Sequence, residues 1–279
     1  MSVNKYVKGV FSAPEVVEKW GRAGMYDPET NDGLFKYNDK LYRMQYVLDF
    51  IPNAQSEKSL ALDLGCGGGV YVPYLTQKGY KVTALDISNK MVEKSRILCN
   101  TLSIEANIII GDCSSTNFPD SYFDLILCVG LIEHQSENSP LLKEVNRILK
   151  LGGTLVLTFR NFLCPHIRFR YLMADFIHSG INAVRRMRGK KPLKRGDDGY
   201  TKSWDSREHS PFQLAREFRR HGFVVRSSRY SHFYFLPFPL DRKLGYIEFL
   251  ISKKLEALSR SPLRWLGSTG VFLAKKETS

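Results

Sequence analysis

The stretch Asp63-Leu64-Gly65-Cys66-Gly67-Gly68-Gly69 decides how the rest of the chain is read. It closes a compact apolar run, SLALDLG (59–65), of the kind that forms a buried strand, and passes at once into glycines. Glycine lets a backbone turn tightly and approach a ligand where a Cβ would collide. A Gly-x-Gly turn alone is weak information. The dinucleotide fingerprint Gly-x-Gly-x-x-Gly needs a sixth-position glycine where this chain has Val70. The Gly-Lys-Ser/Thr ending of a phosphate-binding loop is also missing.

Outward from this loop the chain alternates strand and helix patterns. VYVPYLTQKG (70–79) reads as a helix, with Pro73 tolerated in an early turn that lacks intrahelical partners. KVTALDIS (81–88) reads as a strand, and NKMVEKSRILCN (89–100) as a helix with Ser88 as its N-cap. NIIIGD (107–112), FDLILCVG (123–130) and TLVLTF (154–159) are further strands. Between Ser139 and Lys150, Leu142, Val145, Ile148 and Leu149 share one helical face, which Gly152 and Gly153 are expected to stop. Apolar strands alternating with helices mean a parallel sheet covered on both faces.

Ligands of such sheets bind at the carboxyl ends of the strands. Asp63 ends the first strand, Asp86 ends the second about twenty residues after Gly65, and Gly111-Asp112-Cys113 follows the third. Each aspartate taken alone reads first as a cap or turn residue. At successive strand ends they point together to one binding site.

DLGCGGG, LDIS, GDCSSTNFP, FDLILCVGLIEHQ and LKLGGTLVLTF together resemble the class I S-adenosylmethionine-dependent methyltransferases. The likeness is to the small-molecule branch that includes the ubiquinone and menaquinone biosynthesis enzymes, and it covers about residues 58–160. It implies an α/β, doubly wound, Rossmann-like sheet of seven mostly parallel strands with helical cap insertions. FVVRSSRY (223–230) and VFLAKK (271–276) would supply the last two strands, and PFQLAREFRRHG (211–222) the helix before them. By position, the resemblance puts Asp63, Gly65, Gly67 and Gly69 at the methionine end of the cofactor S-adenosylmethionine, with Val129 and Gly130 along it. Asp86 would hold the ribose, and Asp112 and Cys113 the adenine. Methyl transfer needs a nucleophile held in line and water excluded. A general base, where a hydroxyl is methylated, should follow the fourth strand, and Glu133-His134 stands there. The same pair reads first as a helix cap or as packing beneath the cofactor, which is the position's usual role in the family.

The organisation expected is an N-terminal helical cap (1–57), a cofactor-binding core (58–160), a basic helical insertion or lid (161–210), and a C-terminal part of the core (211–279) carrying an aromatic and helical insertion (232–267). In 161–210, Phe169, Leu172, Met173, Phe176, Ile177, Ile181, Val184 and Met187 recur at helical spacing among arginines. Such a helix covers an apolar substrate, rests on an anionic membrane surface, or packs on the core. In 232–267, Phe233, Tyr234 and Phe235 form an aromatic wall, followed by an amphipathic pattern through Leu244, Ile247, Leu250, Leu255 and Leu258. With Tyr26 and Tyr37 of the N-terminal segment, these aromatics are the candidate substrate contacts.

Formal charge is +13, yet residues 160–230 hold 17 of the 41 Lys+Arg and only 6 of the 28 Asp+Glu. The remainder, 24 basic against 22 acidic, is close to neutral. The excess therefore belongs to the covering segment, which suits an anionic acceptor or an anionic surface. Base-amino methylating enzymes carry an Asp/Asn-Pro-Pro-aromatic motif after the fourth strand, where this chain has Val129-Gly130-Leu131-Ile132. Cys164-Pro165 reverses the Pro-Cys order of cytosine C5 enzymes. An RNA or protein methyltransferase and a non-catalytic partner subunit remain alternatives to the expected small-molecule enzyme. The five scattered cysteines lack a Cys-x-x-Cys pair, and no histidine grouping has ligand spacing, so neither a disulfide framework nor a metal is expected. The N-terminus lacks a signal-peptide core, which with the cysteines points to the cytoplasm.

Overall fold

The computed structural model describes residues 31–194, 206–237 and 240–277. Its strands are β1 (Leu60–Leu64), β2 (Lys81–Asp86), β3 (Asn107–Ile110), β4 (Phe123–Cys128), β5 (Leu149–Arg160), β6 (Phe223–Ser231) and β7 (Thr269–Lys276). They form one seven-stranded sheet in the order β3-β2-β1-β4-β5-β7-β6. Neighbours among β1 to β5 pair in parallel, with Ala61 opposite Val82 and Leu125. Only β7 runs against its neighbours, from Thr269 opposite Arg160 to Lys275 opposite Thr154. The expected mostly parallel sheet is thus the one that forms.

Side chains along a strand alternate between faces, and here both faces are buried. Leu62, Leu64, Ile126, Cys128, Leu155 and Leu157 meet α4 (Ser139–Ile148) and α6 (Pro211–Arg220) through Leu142, Val145, Leu214 and Phe218. Ala61, Leu125, Leu127 and Val156 meet α1 (Asn31–Phe50), α2 (Val72–Gln77) and α3 (Asn89–Thr101) through Val47, Leu75 and Val92. Burial on both sides is why these strands read as unbroken apolar runs. Burying each leucine or phenylalanine contributes about 1.5–3 kcal/mol.

Two local readings change. Helix α4 ends at Ile148, and Leu149 is already extended and pairs with Phe123. Gly152 and Gly153 therefore lie inside β5 rather than stopping the helix, Gly152 with φ +72°. Next to them the pairing with β4 shifts register. Ser88 does take the N-cap position of α3, but its side chain makes no capping bond.

The helices outside these layers follow a different rule. Helix α5 (Pro165–Met187) buries Ile167, Ala174 and Asn182 and leaves Phe169, Leu172, Phe176 and Met187 exposed. After α7 (Leu240–Lys243), helix α8 (Gly245–Leu255) buries Gly245, Glu248 and Ser252, while Leu244, Ile247 and Leu250 face outward. The Leu244–Ile247–Leu250 part of the apolar stripe thus points away from the core, while Leu255 and Leu258 pack against it. The reason lies in the preceding loop, whose backbone N–H groups have no strand partner. Glu248 accepts from Phe235 N (3.0 Å) and Leu236 N (2.8 Å), and Glu256 accepts from His232 N and the Tyr46 hydroxyl (both 2.7 Å). Satisfying buried donors outweighs the gain from turning three apolar side chains inward.

Candidate active site

The glycine loop leaves β1 and is pinned to β2, since Gly65 N and Cys66 N both donate to Leu85 O. Asp86, at the end of β2, completes the tie: Oδ2 accepts from Gly67 N and Oδ1 from Ser88 N, each at 2.9 Å. Gly67 has φ +53°, and a Cβ there would meet nothing within 4 Å. Its missing side chain is open space, and that space is the cavity. Gly69 works otherwise: a Cβ would stand 2.3 Å from Ser95 Oγ of α3, so this glycine permits close loop–helix packing.

The cavity is lined by Asp63, Gly65, Gly67, Asp86, Asp112, Cys113, Val129, Gly130 and His134 of the expected set. Gly69 and Glu133 lie outside the lining. Glu133 is buried under the post-β4 turn, its Oε2 lacking a partner among the described residues. Phe233 is packed in the core, Tyr234 stacks on His166 at 4.0 Å between ring centres, and Phe235 is exposed. None of these three lines the cavity. Tyr26 lies outside the described residues, and Tyr37 falls on α1 at a position whose side chain is not described.

Sequence reading missed Arg43, Met44, Tyr71, Met91 and Gln135, which also line the cavity. Arg43 and Met44 arrive on α1, whose docking over the glycine loop is a tertiary event with no local motif. Buried Asp63 Oδ2 and Arg43 Nε have no hydrogen-bond partner among the described residues. Desolvation, with Asp86 adding repulsion, pushes the Asp63 carboxyl up to about 7. Burial also raises Asp86, against the pull of its backbone donors. Burial lowers His134, an effect that Glu133 opposes and Arg160 reinforces. The neutral imidazole therefore prevails at pH 7. His209, buried beside Arg207, is held down to about 4, which makes it a neutral structural group bonded to Asn138 at 3.2 Å. The arrangement suits a cationic ligand that also brings hydrogen-bonding hydroxyls to the strand ends.

A family model described as a methyltransferase domain matches residues 62–157, the stretch that builds this cavity. Residues 62–157 are a methyltransferase domain of the class I S-adenosylmethionine-dependent kind. Among its curated relatives, the methyltransferase is 27% identical over 174 residues to a ubiquinone biosynthesis O-methyltransferase of Nitrosomonas europaea, covering 61% of this chain and 72% of the relative. It is 24% identical to the same-named enzyme of Rickettsia prowazekii, covering 48% of this chain and 54% of the relative. It spans about half the length of several further curated relatives that it matches. In fold it is similar to the magnesium protoporphyrin IX methyltransferase of Synechocystis PCC 6803 with bound SAM, at TM-score 0.59, 14% identity, and 99% and 98% of the two chains. A methyltransferase of Methanosarcina mazei aligns at TM-score 0.56 and 19% identity, over 84% of this chain and 98% of the other. Among the described residues of the methyltransferase no group of side chains could hold a metal ion, and no helix is long and apolar enough to cross a membrane.

Proposed function

We propose that this methyltransferase moves a methyl group to a hydroxyl oxygen of a small apolar or aromatic, lipid-like acceptor. The observation that carries the reading is His134. It closes the short helical turn Ile132–His134 after β4, lines the same cavity as Asp63, Asp86 and Asp112, and is kept neutral by burial. A neutral imidazole there can take the proton that a hydroxyl must lose, work that contributes about 10²–10⁴-fold. The names of the curated relatives, O-methyltransferases of ubiquinone biosynthesis, support an oxygen acceptor on a lipid-like molecule.

S-Adenosylmethionine, when bound, supplies an electrophilic methyl on a sulfonium. The buried Asp63 carboxylate, whose Oδ2 has no partner among the described residues, suits its ammonium, and Arg43 suits its carboxylate. Asp86 faces the ribose hydroxyls while also tethering Gly67, and Asp112 and Cys113 face the adenine. Gly67 leaves the cradle open, Gly65 makes room for the Leu131 side chain, Val129 and Gly130 line the cavity, and Gly69 acts through packing. Glu133 acts beneath His134 as a positioning residue. Helix α5 and the 232–236 loop, joined by the His166–Tyr234 stack, form the cover on the acceptor side.

The test incubates the purified chain with methyl-deuterated cofactor and a fractionated extract of phenolic and quinol lipids, read by mass spectrometry. A deuteromethyl on oxygen is expected. His134→Ala should lower kcat by about 10²-fold or more while leaving S-adenosylhomocysteine affinity in place. A product methylated on nitrogen or carbon, or turnover indifferent to His134→Ala, would overturn the proposal.

A further inference from the structure

The exposed face of α5 is a single apolar stripe. With about 100° per residue, Met187 falls at the angle of Phe169, and Leu172, Phe176, Gly180, Ala183 and Val184 all lie within about 60° of it. These positions are solvent-exposed, Phe176 at 73%, Leu172 at 69% and Met187 at 79%. The opposite side, through Ile167, Ala174 and Asn182, faces the protein. At about 100° to one side of the stripe stand Arg168 and Arg186, and at about 100° to the other Arg170 and Arg188. The helix's one acid, Asp175, lies outside the stripe. Residues 165–194 carry eight Lys+Arg and one acidic residue.

We propose that α5 is an interfacial helix that lies in the surface of an anionic phospholipid bilayer. The stripe sinks to the acyl boundary, and the flanking arginines meet lipid phosphates on both sides. Charge complementarity selects this occupant. Polynucleotide phosphates would satisfy the arginines but leave Phe169, Leu172 and Phe176 in water. Arg168 is partly engaged already, pairing with Glu208 and lying 3.7 Å over the Phe162 ring, so Arg186 and Arg188 carry more of the attraction. The helix is about 35 Å long and its exposed apolar residues run from Phe169 to Met187, which fits a helix lying flat. The inference is independent of which acceptor is methylated.

Cosedimentation of the full chain with vesicles tests it, comparing neutral phosphatidylcholine with vesicles containing about 30% phosphatidylglycerol at about 0.1 M salt. Binding to the anionic vesicles alone is expected. Arg186→Glu with Arg188→Glu should weaken it about 25-fold or more, at about fivefold per removed charge. Leu172→Ser with Phe176→Ser should weaken it about tenfold or more. Both variants should keep wild-type affinity for S-adenosylhomocysteine, which reports an intact fold. Equal binding to both vesicle types, no binding, or binding indifferent to both double variants would overturn the proposal. So would a dimer in sedimentation equilibrium that Phe176→Ser dissolves, because the stripe would then be an interface between copies.

Discussion

The scaffold and its cover treat apolar residues in opposite ways. In β1, β4 and the middle of β5, nearly every apolar side chain is fully buried, between two layers of helices. In α5 and α8 most large apolar residues face outward and, Ile167 apart, the fully buried positions are small or polar. A sheet has two faces that must both be filled before it is stable, so its sequence answers to packing. The covering helices answer to what they hold underneath and to what they meet outside.

The largest test of this contrast is stability. Leu62→Ala should cost about 2–5 kcal/mol in urea unfolding, because it opens a cavity between β1 and α4. Phe176→Ala removes a larger side chain, yet should change stability by no more than about 0.5 kcal/mol. A cost for Phe176→Ala near that of Leu62→Ala would erase the distinction.

Next comes the residue where fold and chemistry coincide. Asp86→Ala removes two charge-assisted backbone bonds and the carboxylate proposed to meet the ribose. Affinity for S-adenosylhomocysteine, by calorimetry, should fall about 100-fold, near 2–3 kcal/mol. Loss of melting temperature with unchanged affinity would make Asp86 a structural tie only.

The scaffold was readable because its signals are local. Unbroken apolar strands, a glycine loop at Gly65–Gly69 and an aspartate at successive strand ends each follow from a few adjacent residues. Asp86 shows how far this goes: its place beside the cavity was legible, but its grip on Gly67 N and Ser88 N was not, since that depends on the loop's path. The same limit hid Arg43, brought in by helix docking, and misplaced Gly152 and Gly153, whose register depends on the neighbouring strand. In α8 the apolar spacing was visible, but the demand of the Phe235 and Leu236 amides for a buried acceptor was not.

A smaller effect separates the two regions by pH. Asp63, held near 7 in the scaffold, must be ionised to attract a cationic ligand. Its folded pKa is above the unfolded value, so the folded chain binds the extra proton, and the ligand-free protein loses stability as pH rises through this window. Ligand affinity moves the other way and strengthens as the proton leaves. S-Adenosylhomocysteine, which keeps the ammonium, should bind about tenfold more weakly at about pH 6 than at about pH 8. Asp63→Asn should flatten that dependence, and an unchanged profile in the variant would assign the proton elsewhere.

The smallest effect examines the inverted helix itself. Glu248→Gln keeps one acceptor oxygen but removes the charge and one of the two bonds to Phe235 N and Leu236 N, at a cost of about 1 kcal/mol. Hydrogen exchange at those two amides should quicken, while the sheet amides of β1 and β4 keep their protection. Ile247→Ser, one residue away on the exposed side, should leave both readouts unchanged. If instead Ile247→Ser destabilises the chain and Glu248→Gln does not, α8 is held by its apolar residues after all. The cover would then obey the same packing rule as the scaffold.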